Sequence, residues 1–212
     1  MNKMEITASE FFNLESQLIK MGQDSDLNSF AEIKKRLKSK KPVKPDEFAR
    51  QAIYVVLASG FSQKTAKKIH GQIINFLKEN TDTGNPVRSS GKAAEEKLFN
   101  SLIKIFKNKN KINAVVKLWY GRRDYCGGYY KLTAPEQKLA YLAALPHIGK
   151  ITANHLARNL GENVFKRDVW IERLLKKYGE DLLERLEQET ALPLGYVDVV
   201  LWKACQTGLI KL

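Results

Sequence analysis

Two neighbouring stretches set charged side chains beside tight turns, and the first is a combination suited to holding a phosphate. The first runs from Leu145 to Leu160 and reads LPHIGKITANHLARNL; the second, from Val164 to Leu174, reads VFKRDVWIERL. In the first, Pro146 stops one helix and Gly149 permits a tight turn into the next. A helix beginning there starts with unpaired backbone N–H groups and the positive end of its dipole, and Lys150 adds a charge beside them. Such a terminus suits a phosphate and needs no contact with a base. In the second stretch, Asp168 stands among Lys166, Arg167 and Trp170. Aspartate just ahead of a helix is a favoured N-cap, and an acidic residue in so basic and aromatic a setting is also a candidate functional group. Spacing alone leaves both readings open, and they are compatible.

Charge narrows the partners. Lys and Arg number 36 against 23 Asp and Glu, a formal net charge of +13. A surplus of that size favours a polyanion, nucleic acid first, over the plainer account of a generally lysine-rich proteome. Cys126 and Cys205 are the 2 cysteines, and there are 3 histidines. These build neither a disulfide framework nor a recognisable metal site, so reduced thiols and no structural metal are expected. No apolar run is long enough for a membrane span, and MNKMEITASEFFNLES lacks the order of a secretion signal. A cytoplasmic, nucleoid-associated protein with no membrane partner is the expectation.

The chain around these stretches reads as helix throughout. Thr7 and Glu10 form a capping box, and a second helix is predicted from about Ser25 to Leu37. A basic, proline-broken linker follows from Lys38 to Pro45. Asp46 is predicted to cap a buried helix ending at Gly60, and Ser62 to cap the next. Thr81–Gly91 is loop by composition. Helices are predicted around Lys92–Phe106 and Asn108–Tyr120, then a loop over GRRDYCGGYYKLT. Beyond the hairpin, helices are expected over Val169–Tyr178 and Asp181–Glu189, with a last one between Pro193 and Gly208. The class is all-α, with ten or eleven helices.

Taken together, LPHIGKITANHLARNL followed by ENVFKRDVWIERL resembles the helix–hairpin–helix, Gly/Pro-rich loop and aspartate signature of the HhH-GPD DNA glycosylases. The likeness is sharp over Leu139–Leu175 and weaker over FARQAIYVVLASGFSQKTAKKI. It implies a two-lobed helical fold: residues 1–47 packing with a C-terminal lobe of 161–212, and a central lobe of 48–160. The implied partner is double-stranded DNA, bound by a monomer. By position, Asp168 matches the catalytic aspartate, which would stabilise the cationic sugar as the N-glycosidic bond breaks and handle the attacking water. A base inside a duplex must first be flipped out.

The resemblance also assigns contacts. His147, Gly149, Lys150 and Thr152 fall on the hairpin's DNA grip, with His147 where the family often has glycine. Phe61 and Gln63 fall near the turn that fills the gap left by a flipped base, although packing explains Phe61 equally well. Trp119, Tyr120, Tyr125, Tyr129 and Trp170 are the base-pocket candidates, with a core or loop-pinning role as the alternative. Stacking aromatics suit a cationic alkylated purine best, so that base is favoured, ahead of altered pyrimidines and oxidised purines.

The departures are informative. Ile151 stands where bifunctional members carry a Schiff-base lysine, and Lys150 is one place early, about 100° around the helix. Base removal by water is therefore expected: a monofunctional glycosylase of base excision repair. The four cysteines of an iron–sulfur cluster are absent, so no cofactor is expected, while hairpin carbonyls around Leu145, His147 and Ile148 leave room for a monovalent cation. Three rival readings stand beside this one. They are a glycosylase/lyase using Lys150 or Lys166, a non-enzymatic helix–hairpin–helix DNA-binding module, and a protein-interaction scaffold.

Overall fold

The structure is a computed structural model that describes residues 5–81 and 92–212; most of the loop expected between Thr81 and Gly91 lies outside the described residues. Twelve helices make up the described fold, with no strand and a single isolated bridge between Ser25 and Ser29. The all-α expectation holds. The chain divides into two compact units: the N-terminal residues through Lys41 with Ala157–Leu212, and Pro42–Leu156.

The unit containing both chain ends is built around its last helix. Helix α12 (Leu194–Gln206) is buried from Gly195 through Leu201, and again at Lys203, Ala204 and Cys205. Against it pack α1 (Ala8–Lys20), α2 (Phe30–Ser39), α10 (Val169–Tyr178) and α11 (Leu182–Thr190). Two capping boxes start the N-terminal helices, Thr7 with Glu10 and Ser29 with Glu32, each closing orphan N–H groups at both ends of the box. The second helix thus begins at Phe30, later than the start expected near Ser25, because Ser29 is its cap. Each of these helices presents a stripe such as Phe11/Leu18, Ile33/Leu37 or Ile171/Leu174/Leu175 to one common core.

The other unit surrounds α3 (Pro45–Ala58), which is buried at Phe48 and Ala49 and then continuously from Gln51 to Leu57. It packs against α4 (Gln63–Thr81), α6 (Lys109–Tyr120) and α7 (Arg122–Tyr130). Pro45 occupies the first turn and no side chain caps the helix; Asp46, predicted as the cap, instead binds Arg122 at 2.5 Å. Helix α5 (Lys92–Ile105) packs on α4 and α6, and α8 (Pro135–Ala143) on α7. Helix α9 (Lys150–Leu160) starts in this unit, and the division falls after Leu156.

Helix α7 overturns the loop expected over GRRDYCGGYYKLT. Of its two glycines, Gly128 is there for close packing, while a Cβ at Gly127 would meet nothing within 4 Å. A Cβ at Gly128 would lie 2.4 Å from the Tyr141 hydroxyl, and one at Gly121 2.5 Å from the Tyr125 ring. Tertiary contact thus outweighs the low helix propensity of glycine.

Candidate active site

The hairpin between α8 and α9 turns at His147 rather than at Gly149, whose backbone lies outside the left-handed region. The Ile148 amide donates to the Leu145 carbonyl at 3.1 Å, closing the turn behind Pro146. His147 is exposed and lies in the left-handed region at φ 61, a conformation that favours glycine. At the start of α9 the Gly149 amide donates to the Thr152 hydroxyl at 2.8 Å, and that hydroxyl donates to the Gly149 carbonyl at 3.0 Å. Thr152 therefore works as a local clasp on the helix start. Because a first helical turn has no intrahelical acceptors for its donors, the Lys150 and Ile151 amides are the ones open to an anion. Lys150 is exposed beside them, and Ile151 is 52% exposed.

The turn after α3 is held by a residue that carries no signal in the sequence. Lys111, 5% exposed, extends its ammonium from α6 to the Leu57 carbonyl at 3.2 Å and to the Ser59 carbonyl. It caps α3 from another helix, and burial pulls its pKa below the ordinary lysine value. The same ammonium sits 4.7 Å from the centre of the Phe61 ring, which meets Phe106 edge-on at 5.5 Å. Gly60, at φ 76, turns the chain there. Phe61 is left 41% exposed on a braced turn, and Gln63 begins α4 half-buried.

The aromatic candidates separate. Trp119 is 1% exposed with the Arg122 guanidinium 4.5 Å from its ring centre, and Tyr129 is 0% exposed between Phe48 and Tyr130. Both serve the core of their unit. Tyr120 is half-buried, and the Tyr125 backbone carbonyl accepts from the Tyr141 hydroxyl at 3.2 Å. Trp170, in the other unit, is half-buried, packs on the core and has Arg173 6.0 Å from its ring.

Asp168 caps α10. Its Oδ1 accepts from the Trp170 amide at 3.0 Å and the Ile171 amide at 3.3 Å. Its Oδ2 lies 2.8 Å from the Lys166 ammonium. The side chain is 14% exposed, so a formally charged group reaches the surface from a partly desolvated position.

The loop in front of it is pinned from below. Arg158 binds Asp198 at 2.6 Å, and Asp198 accepts the Lys166 amide at 3.3 Å. Asn163 takes the Gly195 amide at 3.0 Å and donates to Glu187 at 2.8 Å. A Cβ at Gly195 would stand 2.8 Å from the Val164 carbonyl, so only glycine lets α12 approach this closely. Cys205 is buried nearby, and burial, with the Asp168 charge second, pushes its thiol up to about 12. That makes it an inert core residue rather than a nucleophile. Among the described residues, no group of His, Cys, Asp and Glu is placed to hold a metal ion.

The fold is that of known proteins. No family model matches the sequence, and no curated protein matches it significantly. Solved structures do match the fold. The 8-oxoguanine DNA glycosylase of Methanocaldococcus jannaschii is 19% identical and superposes with a TM-score of 0.63, covering 95% of this chain and 94% of that one. The 8-oxoguanine glycosylase/lyase of the same organism, in complex with a 15mer DNA containing 8-oxoguanine, gives 19% and 0.63, with 96% and 99% covered. The 8-oxoguanine DNA glycosylase of Thermotoga maritima is 16% identical, with a TM-score of 0.61 over 92% of this chain and 93% of that one. The chain therefore has the all-helical fold of these DNA glycosylases over nearly its whole length.

Proposed function

We propose that this protein is a DNA glycosylase of base excision repair, acting as a monomer on duplex DNA. The observation that carries the reading is Asp168: a partly buried carboxylate at the start of α10, on a pinned loop, in a chain with the glycosylase fold. As the N-glycosidic bond breaks, its electron pair leaves with the base and C1′ becomes cationic. Asp168 stabilises that charge and takes the proton of the water that attacks C1′. The product is an abasic site. The first-turn amides of α9 and Lys150 grip a backbone phosphate, and Phe61 enters the stack as the nucleotide leaves it.

Water is the nucleophile in this reading, because Ile151 is apolar where a Schiff-base lysine would stand. For the base, an oxidised purine takes precedence over the alkylated purine that the aromatic cluster favours. The similar solved structures are 8-oxoguanine enzymes, and two of the rings that would stack on a cationic base, Trp119 and Tyr129, are committed to the core.

The test is release from labelled duplexes carrying 8-oxoguanine, methylated purines, hypoxanthine, uracil or mismatched thymine, each with and without hot alkali. Strand breakage that requires alkali and disappears in Asp168→Asn is the expected result. Breakage without alkali would replace the water mechanism with an amine, Lys150 or Lys166. Tight binding with no release from any duplex would leave a DNA-binding module.

A further inference from the structure

We propose that Lys166 is a positioning residue for Asp168, holding the carboxylate oxygen that the helix cap leaves over. The inference rests on the glycosylase reading of Asp168 and adds a second residue to that site. A helix cap needs one carboxylate oxygen, and Oδ1 meets that need with the Trp170 and Ile171 amides. A carboxylate held only there keeps some freedom to turn about its last torsion, which is a broad, soft one. The Lys166 ammonium at 2.8 Å from Oδ2 removes that freedom, so the plane of the carboxylate is set before any substrate arrives.

Lys166 is itself held in place. Its amide is tied at 3.3 Å to Asp198, which is 1% exposed and anchored by Arg158 at 2.6 Å. Its ammonium also lies 5.8 Å from the centre of the Trp202 ring. The next residue shows the contrast. Arg167 turns outward to Glu172 at 2.6 Å and Glu180 at 2.8 Å, and is 46% exposed. Lys166 is 20% exposed and turns inward to Asp168, where the attraction is less screened by water. The result is a continuous chain from Arg158 through Asp198 and Lys166 to Asp168. It transmits the rigidity of the buried ion pair to the carboxylate at the surface. Geometry of this kind matters because small misplacements of a reacting group cost large factors in rate.

Two measurements on the full-length protein decide it. In the first, single-turnover base release and affinity for uncleaved duplex are compared among wild type, Lys166→Met and Lys166→Arg. Lys166→Met is expected to slow release about 10- to 100-fold with affinity within about threefold. Lys166→Arg, which can still reach the carboxylate, is expected to recover most of the rate. Unchanged release in Lys166→Met would overturn the proposal, as would a loss confined to affinity, which would make Lys166 a phosphate contact. An adduct trapped by borohydride in wild type and missing in both variants would make it the nucleophile instead.

The second measurement is a double-mutant cycle of Lys166→Met and Asp168→Asn on the urea unfolding midpoint. The double variant is expected to lose less than the two single losses added together. Strict additivity would sink the pair even if the wild type proved active. A wild type that releases no base, with coupling intact, would sink the glycosylase reading alone.

Discussion

At Gly149, the space where a Cβ would stand holds no atom within 4 Å, and its backbone lies outside the left-handed region. Neither packing nor conformation requires glycine there, and in the proposed reading its use is the close approach of a DNA phosphate. Gly149→Ala is expected to change unfolding stability by less than about 0.5 kcal/mol while weakening duplex binding severalfold. Equal losses in both would make Gly149 a folding residue. His147 is the opposite case, a side chain kept where the backbone disfavours it. His147→Gly should raise stability by up to about 1 kcal/mol in denaturant unfolding. A fall in DNA affinity in the same variant would show what the strained side chain is for. At Asp168 the N-cap is legible from its place before an apolar run. The Lys166 contact is not, because spacing does not say which way a lysine turns.

Among the elements, the turn from α3 to α4 depends most on a distant residue. Lys111 satisfies carbonyls at Leu57 and Ser59 that lie more than fifty residues away in sequence. Lys111→Met would leave the buried Leu57 carbonyl without this donor, at a cost of about 1–3 kcal/mol. Faster amide exchange over Ser59–Phe61, with exchange in α9 unchanged, is the expected signature. Unaltered exchange there would mean that Gly60 and the Phe61–Phe106 contact hold the turn unaided. Helix α7 depends on distant packing in the same way. Its glycines and tyrosines read as a loop until Tyr141 is seen filling the space that the missing Cβ of Gly128 leaves.

For the whole molecule, acid stability depends on a buried base. His70 is 4% exposed, with Nε2 bonded to the Arg50 carbonyl at 3.0 Å and Tyr54 edge-on to its ring. Burial lowers its pKa from 6.5 to about 4. Between those values the unfolded chain takes up a proton that the folded protein does not, so stability falls as pH drops from 6.5 towards 4. The loss from this residue is about 3 kcal/mol across the window. His70→Gln, measured by urea unfolding from pH 7 to 4, should flatten that slope; an unchanged slope would assign acid lability to other groups. The formal charge of +13 bears on the proposed function at this scale: duplex binding is expected to depend steeply on salt. Lys150→Ala should lower that salt slope by about one phosphate contact, and an unchanged slope would remove Lys150 from the grip.

The helical class, most helix limits, the surplus of positive charge and the hairpin followed by its aspartate are all legible in the order of residues. These depend on periodicity, caps and charge, which act over a few residues or sum over the chain. The packed molecule is needed to learn that Trp119 and Tyr129 belong to the core, that Lys111 braces the Phe61 turn, and that both Asp168 oxygens are held. Those facts depend on which distant side chains converge, as with Arg158, Asp198 and Gly195 beneath the loop before Asp168. Local spacing carries no record of that convergence, because it is the packing of whole helices that brings such residues within a few ångströms.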